Sequence, residues 1–511
     1  MAEEKKSRLY VLKPIAERWP AVAKPEGHVN FRNKIIWTVL CLILYFILTN
    51  VMIYGLGGEV IDLFAGYRFI MAGASGSIMH LGIGPIVTAS IILQLFVGAK
   101  IIKLDLTKKE DKSIYQGTQK ILVIVMILVE AIPQVFGYLR PSDTLTGWIG
   151  GGWANAIIIS QLFIGALLVF FMDELISKWG IGSGISLFIA AGVSESIFTG
   201  LFNWLPMRGG ELSLNNPPAG VIPGTYYLAT HMSLGDMVDW GYQTIFIDQV
   251  NSIVALIGTI LIFFIVVYAE SSRIELPLAH GGVRGARGRY PIRLIYASNI
   301  PVILMAALLA NINMFAFLFY TNNSLRNIPF IGGQWWIGHY DLSSANPSSP
   351  LAGGAWYVNN LNGVNSWLMP ILQGGYAGHA AWQFALKVVV YLSIMIIGSI
   401  LFAKFWIETT DMGASAVARQ IQSSGMQIPG FRRDPRIMTR VLERYIPVVT
   451  VIGGAAVGAL AGFADALGTI GNASGTGVLL TVGIMIQLYE QIAREQAMEM
   501  HPVLRGFFGA E

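Results

Sequence analysis

Charge is what this sequence has least of. Asp, Glu, Lys and Arg make up 13% of its 511 residues, about half of the ~25% usual in soluble domains. A soluble fold is thereby excluded. With 54% hydrophobic residues and mean hydropathy +0.58, the chain belongs in a membrane. Cysteine is nearly absent: Cys41 is the single one, so no disulfide can close within the chain. No apolar run precedes residue 35, which argues against a cleavable signal peptide. Catalytic patterns are missing too. There is no phosphate-binding glycine loop, no HExxH spacing and no nucleophile paired with a base. The sequence therefore predicts no catalytic residue, no metal ion and no cofactor. The seven histidines are scattered. His80 reads as a local structural residue, and so do Asp173 and Glu174.

Glycine (57 residues) and long apolar runs are what the chain has in plenty. Small residues let helices approach closely in lipid, and a crossing helix needs about 20 apolar residues. Ten stretches are assigned as spans, at about 35–56, 83–102, 119–138, 153–172, 183–203, 250–269, 298–320, 386–407, 445–464 and 476–492. The predicted fold is an all-α polytopic membrane protein with ten transmembrane helices. Residues 1–34 form an N-terminal segment with eight Lys/Arg. There Leu9, Leu12, Ile15, Ala16 and Trp19 fall near helical spacing, as in an amphipathic helix lying on the membrane surface. Spans one to five fill 35–203 and spans six to ten fill 250–492. Polar connections lie at 204–249 and 321–384, and a polar tail at 493–511.

Loop charge sets the orientation. With the N-terminus inside, five of the 34 Lys/Arg fall outside: Arg68, Arg140, Arg208, Arg326 and Lys387. The other 29 fall inside, so both termini are predicted to be cytoplasmic. The inner connections 271–296 and 408–444 carry five and six arginines. Five spans, a long outer loop and five more suit two halves of inverted topology. No repeat is visible in the residues themselves.

Glu59 to Gly98 is the unusual stretch. Asp62, Arg68, Gly73, Gly76, Gly82 and Gly84-Pro85 interrupt it before the apolar run from Ile83 to Ile102. It reads as a short half-helix, a break, and a full span. Broken backbone at membrane depth persists only where protein buries it or where it lines a cavity. An external loop helix before an ordinary span explains these features equally well.

Several stretches are specific: LGIGPIVTASIILQL (81–95), DELISKWGIGSGISLFIAAGV (173–193), PLAHGGVRGARGRYPIRLIYASNIPVIL (277–304) and GTGVLLTVGIMIQLYEQI (475–492). Together with IETTDMGA (407–414) and GFRRDPR (430–436), they closely resemble the SecY family, the large pore-forming subunit of the Sec protein-translocation channel. The flavour is archaeal, nearer to the endoplasmic-reticulum channel than to the bacterial one.

The resemblance implies a passive conduit for unfolded secretory polypeptides that also releases transmembrane segments sideways into lipid. It places a plug at about 61–79, including Ile61, Asp62, Arg68, Gly73 and Gly76. The family often has a basic residue just before the glycine matching Gly76; Ala74 and Ser75 stand here. The family's apolar pore ring maps to Ile83, Val87, Ile185, Ile189, Ile303 and Leu480, with Ile300 nearby. Ile83/Val87 and Ile185/Ile189 are i, i+4 pairs, each on one helix face. A narrow apolar constriction dewets and blocks ions. The lateral gate, between spans two and three and spans seven and eight, maps to Thr88, Glu130 and Asn311. Glu130 sits inside an apolar span, where a charge costs at least ~2.5–3.5 kcal/mol, so it needs a partner, a cavity or a proton. Arg284, Arg287 and Arg289, with Arg432 and Arg433, would contact the ribosome, since arginine-rich loops suit RNA phosphates.

The implied partners are two small single-span subunits, of the gamma (SecE) and beta types, the ribosome with its RNA, signal sequences, nascent chains and lipid. The implied location is the cell membrane, or the endoplasmic-reticulum membrane if the source is eukaryotic. Two other classes compete. A secondary transporter for a small solute would gather ion-coordinating groups at the midplane, where this chain places aliphatics. An intramembrane protease would need paired aspartates, and Asp465 shows no evident mate in the sequence.

Overall fold

The computed structural model describes residues 8–57, 71–280, 287–322, 349–423 and 435–500, apart from 28, 103, 105, 107, 208, 209, 250, 294, 296, 298 and 411. It also describes 326, 334, 336–341, 426 and 427. Among the described residues nine helices are long and apolar enough to cross a membrane. They are α1 (Phe31–Thr49), α3 (Lys109–Gly137), α4 (Gly151–Trp179), α5 (Gly184–Phe202), α6 (Ile253–Ser271), α7 (Ile300–Thr321), α8 (Ala381–Thr409), α9 (Pro435–Leu467) and α10 (Gly475–Met500). The remaining apolar helix, α2 (Gly84–Gly98), is shorter than the expected span 83–102. Its 15 residues cover roughly 22 Å. It stops because the backbone turns at Lys100, whose φ is +56°, so the apolar run to Ile102 continues without the helix.

Other helices outrun the membrane. α3 and α9 begin about ten residues before their expected spans, and α10 runs to Met500. Lys, Glu, Gln and Arg in these extensions are good helix formers, so nothing ends the helix at the lipid boundary. Where the sequence suggests an amphipathic helix, residues 8–18 form one continuous helical stretch, a 3-10 segment (Arg8–Leu12) running into an α-helix (Lys13–Arg18). It packs along α3. Its tail is pinned to the end of α4: Val22 N–H donates to Glu174 Oε2 (3.1 Å) and Trp179 Nε1 donates to the Ala23 carbonyl (2.8 Å). Lys120 and Lys178 pair with the same Glu174. Lys34 at the start of α1 pairs with Glu495 near the end of α10 at 2.8 Å, which puts these two helix ends on one face.

On that face β1 (Arg273–His280) and β2 (Arg287–Arg293) form an antiparallel hairpin. A short strand β3 (Met426–Gln427) adds to β1, pairing Ala279 with Gln427. The two arginine-rich connections are thus joined in one small sheet.

The two groups of five helices match in detail. α2 and α7 each start after a residue with near-identical backbone (Ile83, φ −87°, ψ 0°; Asn299, φ −84°, ψ −2°), and each has proline second. α5 and α10 are each capped by an aspartate from the preceding helix. Asp173 Oδ1 accepts from Ile185 N–H, and Asp465 Oδ1 accepts from Thr476 N–H, both at 2.9 Å. One hydrophobic cluster runs through both groups. Exposed aliphatic and aromatic side chains line the outer faces of α1 (Ile36, Ile43, Ile47) and α6 (Ile257, Leu261, Phe264), as surfaces that meet lipid require.

Candidate pore and gate

The six expected ring residues all belong to that single cluster. Ile83, Val87, Ile189, Ile303 and Leu480 are buried, and Ile185 is half-buried. The structure adds a regularity that the sequence hides. Val87 and Ile303 are each the fourth residue of matched helices α2 and α7. Ile189 and Leu480 are each the sixth residue of matched helices α5 and α10. Ile83 precedes α2 as its cap, and its N–H donates to the Met71 carbonyl at 2.7 Å. The aliphatics are therefore set by four helix starts, two from each half. An aliphatic neck offers no ligand to replace an ion's water.

α2 packs on α3 and also on α7 and α8. Where these meet, the three expected polar residues come together. The Thr88 hydroxyl lies 2.8 Å from Glu130 Oε1 and 2.9 Å from the Gly84 carbonyl, and it accepts from Asn311 Nδ2 at 2.9 Å. Glu130 and Asn311 are both buried. Glu130 and Thr88 lie on one wall, α3 and α2. The Asn311 bond crosses to α7. A second crossing bond runs from Gln134 Nε2 on α3 to Met314 Sδ on α7, at 3.4 Å. Gln134 Oε1 accepts from the Tyr138 hydroxyl (2.8 Å), which lies 3.3 Å from His80 Nε2. Gln134 and Tyr138 were missed in the sequence. The available signal was Glu130, Gln134 and Tyr138 at four-residue steps along one helix face.

Ile61, Asp62 and Arg68 of the expected plug lie outside the described residues. Gly73 and Gly76 lie within them. Residues 72–83 follow the helical Met71 as turns, held by Ile53 N–H to the Gly76 carbonyl and Ile78 N–H to the Val51 carbonyl. Gly76 N–H donates to His80 Nδ1 at 3.0 Å, which leaves Nε2 as the protonated nitrogen toward Tyr138. A Cβ on Gly73 would sit 2.7 Å from the Met79 carbonyl, so the turn requires glycine there.

Arg284, Arg432 and Arg433 lie outside the described residues. Arg287 and Arg289 are in β2, opposite Ala279 and Pro277. Asp465 does have mates, though not a second acid. Its carboxylate accepts from the Thr476 hydroxyl (2.6 Å) and the Tyr391 hydroxyl (2.8 Å). The same Tyr391 oxygen lies 2.9 Å from Asn360 Oδ1. Lys387 is buried with its ammonium 4.8 Å from the Trp356 ring centre.

The SecY family profile matches residues 77–489, and a profile described as the plug domain of Sec61p matches residues 43–76. The protein translocase subunit SecY of Archaeoglobus fulgidus is 46% identical over 99% of each chain. A solved protein-conducting channel matches with TM-score 0.76 and 37% identity, over 96% of this chain and 98% of that one. Sec61 in the canine ribosome–channel complex from the endoplasmic reticulum matches with TM-score 0.74 at 37% identity, over the same shares.

Proposed function

As a member of the SecY family this chain is a protein-conducting channel subunit in a membrane, and we propose that its buried aliphatic neck is the seal through which unfolded polypeptide passes. Membership sets aside the solute-transporter reading. In this account Ile83, Val87, Ile185, Ile189, Ile303 and Leu480 close the resting path. Flexible aliphatic side chains part around a moving chain and re-form behind it. The plug, including Ile61, Asp62, Arg68, Gly73 and Gly76, blocks the same path in series. The lateral gate opens between α2/α3 and α7/α8, and the Asn311–Thr88 hydrogen bond across that seam is the observation that carries the assignment.

The matched aspartate caps and prolines support two halves of inverted topology. The excess of Lys and Arg on the face bearing the start of α1 and the end of α10 supports a cytoplasmic placement for that face. The two arginine-rich connections that this sheet joins, which carry Arg284, Arg287, Arg289, Arg432 and Arg433, would then bind ribosomal RNA. The translating ribosome or another motor supplies the work, and two small single-span subunits of the gamma and beta types complete the channel. A photocrosslinker in place of Ile83 tests the reading. It should capture a chain arrested in transit. Capture only of lipid or neighbouring helices would overturn it.

A further inference from the structure

The connection between α5 and α6 contains a helix with no assigned role. Residues 234–248 form a wide helix, in part with i→i+5 hydrogen bonds such as Gln249 N–H to the Thr244 carbonyl. In such a helix residues four apart nearly line up. Here that repeat sorts the side chains cleanly. Gly241, Ile245 and Gln249 form the buried stripe, packed toward α6 and the helix Val221–His231. Beside it runs Leu234, Val238, Tyr242 and Phe246, which are 89%, 72%, 57% and 42% exposed. The next stripe, diametrically opposite the buried one, carries exposed Asp239 and Gln243 and ends at the half-buried Ile247. One exposed flank is thus wholly apolar and its neighbour is polar where it is exposed.

We propose that this helix lies in the membrane interface, with Leu234, Val238, Tyr242 and Phe246 dipped into neutral lipid. Depth is the first argument. Asn251, three residues past the helix, donates to the Ala219 carbonyl (2.6 Å) and accepts from Gly471 N–H (2.7 Å). Gly471 lies in the short turn joining α9 to α10, which cannot rise far from the bilayer. Asn365 Nδ2 ties the helix itself to that level through the Ile247 carbonyl (2.6 Å). Continuity is the second argument. α6 starts at Ile253 and exposes Ile257, Ile260, Leu261 and Phe264, a surface that must meet lipid. The apolar flank extends this surface around the rim, where exposed Trp204 and Leu205 also stand just beyond α5. Aromatic side chains favour that boundary. Charge decides the kind of lipid. Residues 233–249 contain no Lys or Arg, and Asp236, Asp239 and Asp248 all lie off the apolar flank. Free interfacial helices usually add basic residues to bind anionic headgroups. This one is held between the helix Val221–His231 and α6 and needs no such attraction.

Nitroxide labels test it on the whole channel in phosphatidylcholine vesicles. Val238→Cys, Tyr242→Cys, Asp239→Cys and Gln243→Cys are made singly; the native Cys41 is buried and stays unlabelled. All four positions are exposed, so each variant should fold. Labels at 238 and 242 should favour oxygen over a water-soluble nickel chelate by several-fold relative to labels at 239 and 243. Equal nickel access at all four positions would overturn the proposal. So would shielding of 238 and 242 from both reagents, which would mean a protein partner covers them. A contrast that appears only after anionic lipid is added would overturn the neutral-lipid assignment.

Discussion

Thr88→Val should lower the hydrophobicity that a signal sequence needs to open the channel. The substitution keeps the side chain's shape and removes its hydroxyl. The bond to Glu130 is lost in closed and open states alike, since α2 and α3 form one wall. The bond from Asn311 joins α7 to α2 across the proposed gate and would break when that gate opens. Its loss therefore shifts the gate toward opening. Interhelical hydrogen bonds in membranes average about 0.6 kcal/mol, with ~1.7 kcal/mol as an upper value. That is about threefold to eighteenfold in the open-to-closed ratio. At ~0.8 kcal/mol per buried methylene, the mutant should accept signals shortened by about one to two methylenes, such as one Leu→Val change. The assay is translocation into proteoliposomes of a graded signal series. Thr88→Ser should keep the wild-type threshold. Asn311→Leu should match Thr88→Val, and the double variant should add little, because both remove the same bond. An unmoved threshold in a folded Thr88→Val channel would refute the reasoning. So would an equal change for every signal, which would make the cluster ordinary packing.

Three further outcomes are expected. Tyr391→Phe should cost about 1–3 kcal/mol by removing the hydroxyl that donates to the buried Asp465, and Asp465→Ala should cost more, because it also uncaps α10; thermal unfolding in detergent ranks them, and equal melting temperatures would contradict the cap. Gly73→Ala should raise the resting ion leak, because the new Cβ meets the Met79 carbonyl at 2.7 Å and displaces the turn that carries this end of the proposed plug; bilayer conductance at the wild-type level would show that this turn has no part in closure. Arg284→Glu with Arg432→Glu should weaken ribosome binding, with a deficit that shrinks as salt rises; unchanged affinity at low salt would remove these loops from the docking site.

The meeting of the three polar residues was legible before the structure, because Glu130 in an apolar span demands a partner, and resemblance supplied Thr88 and Asn311. Gln134 and Tyr138 were not, since one Gln and one Tyr in a helix carry no such demand. The length of α2 was hidden because hydropathy reads composition, and the composition stays apolar past the turn at Lys100. The likeness of the two halves was hidden for a different reason. It is carried by cap geometry and helix position, as in Asp173 and Asp465, and side-chain identity has diverged around them. The interfacial flank escaped because its repeat is nearly four residues, outside both the helical and strand periods that a sequence scan tests.

The central claim is that the aliphatic neck is the main seal against ions, with the plug in series behind it. A planar-bilayer recording of the variant combining Ile83→Asn, Val87→Asn, Ile185→Asn and Ile189→Asn tests it most directly. Asparagine supplies ligands and holds water where the aliphatics dewet. The account predicts a steady resting conductance in the combined variant, enlarged when residues 61–73 of the plug are also deleted, while single substitutions stay near silent. A combined variant that folds and binds ribosomes yet conducts no more than wild type would contradict it.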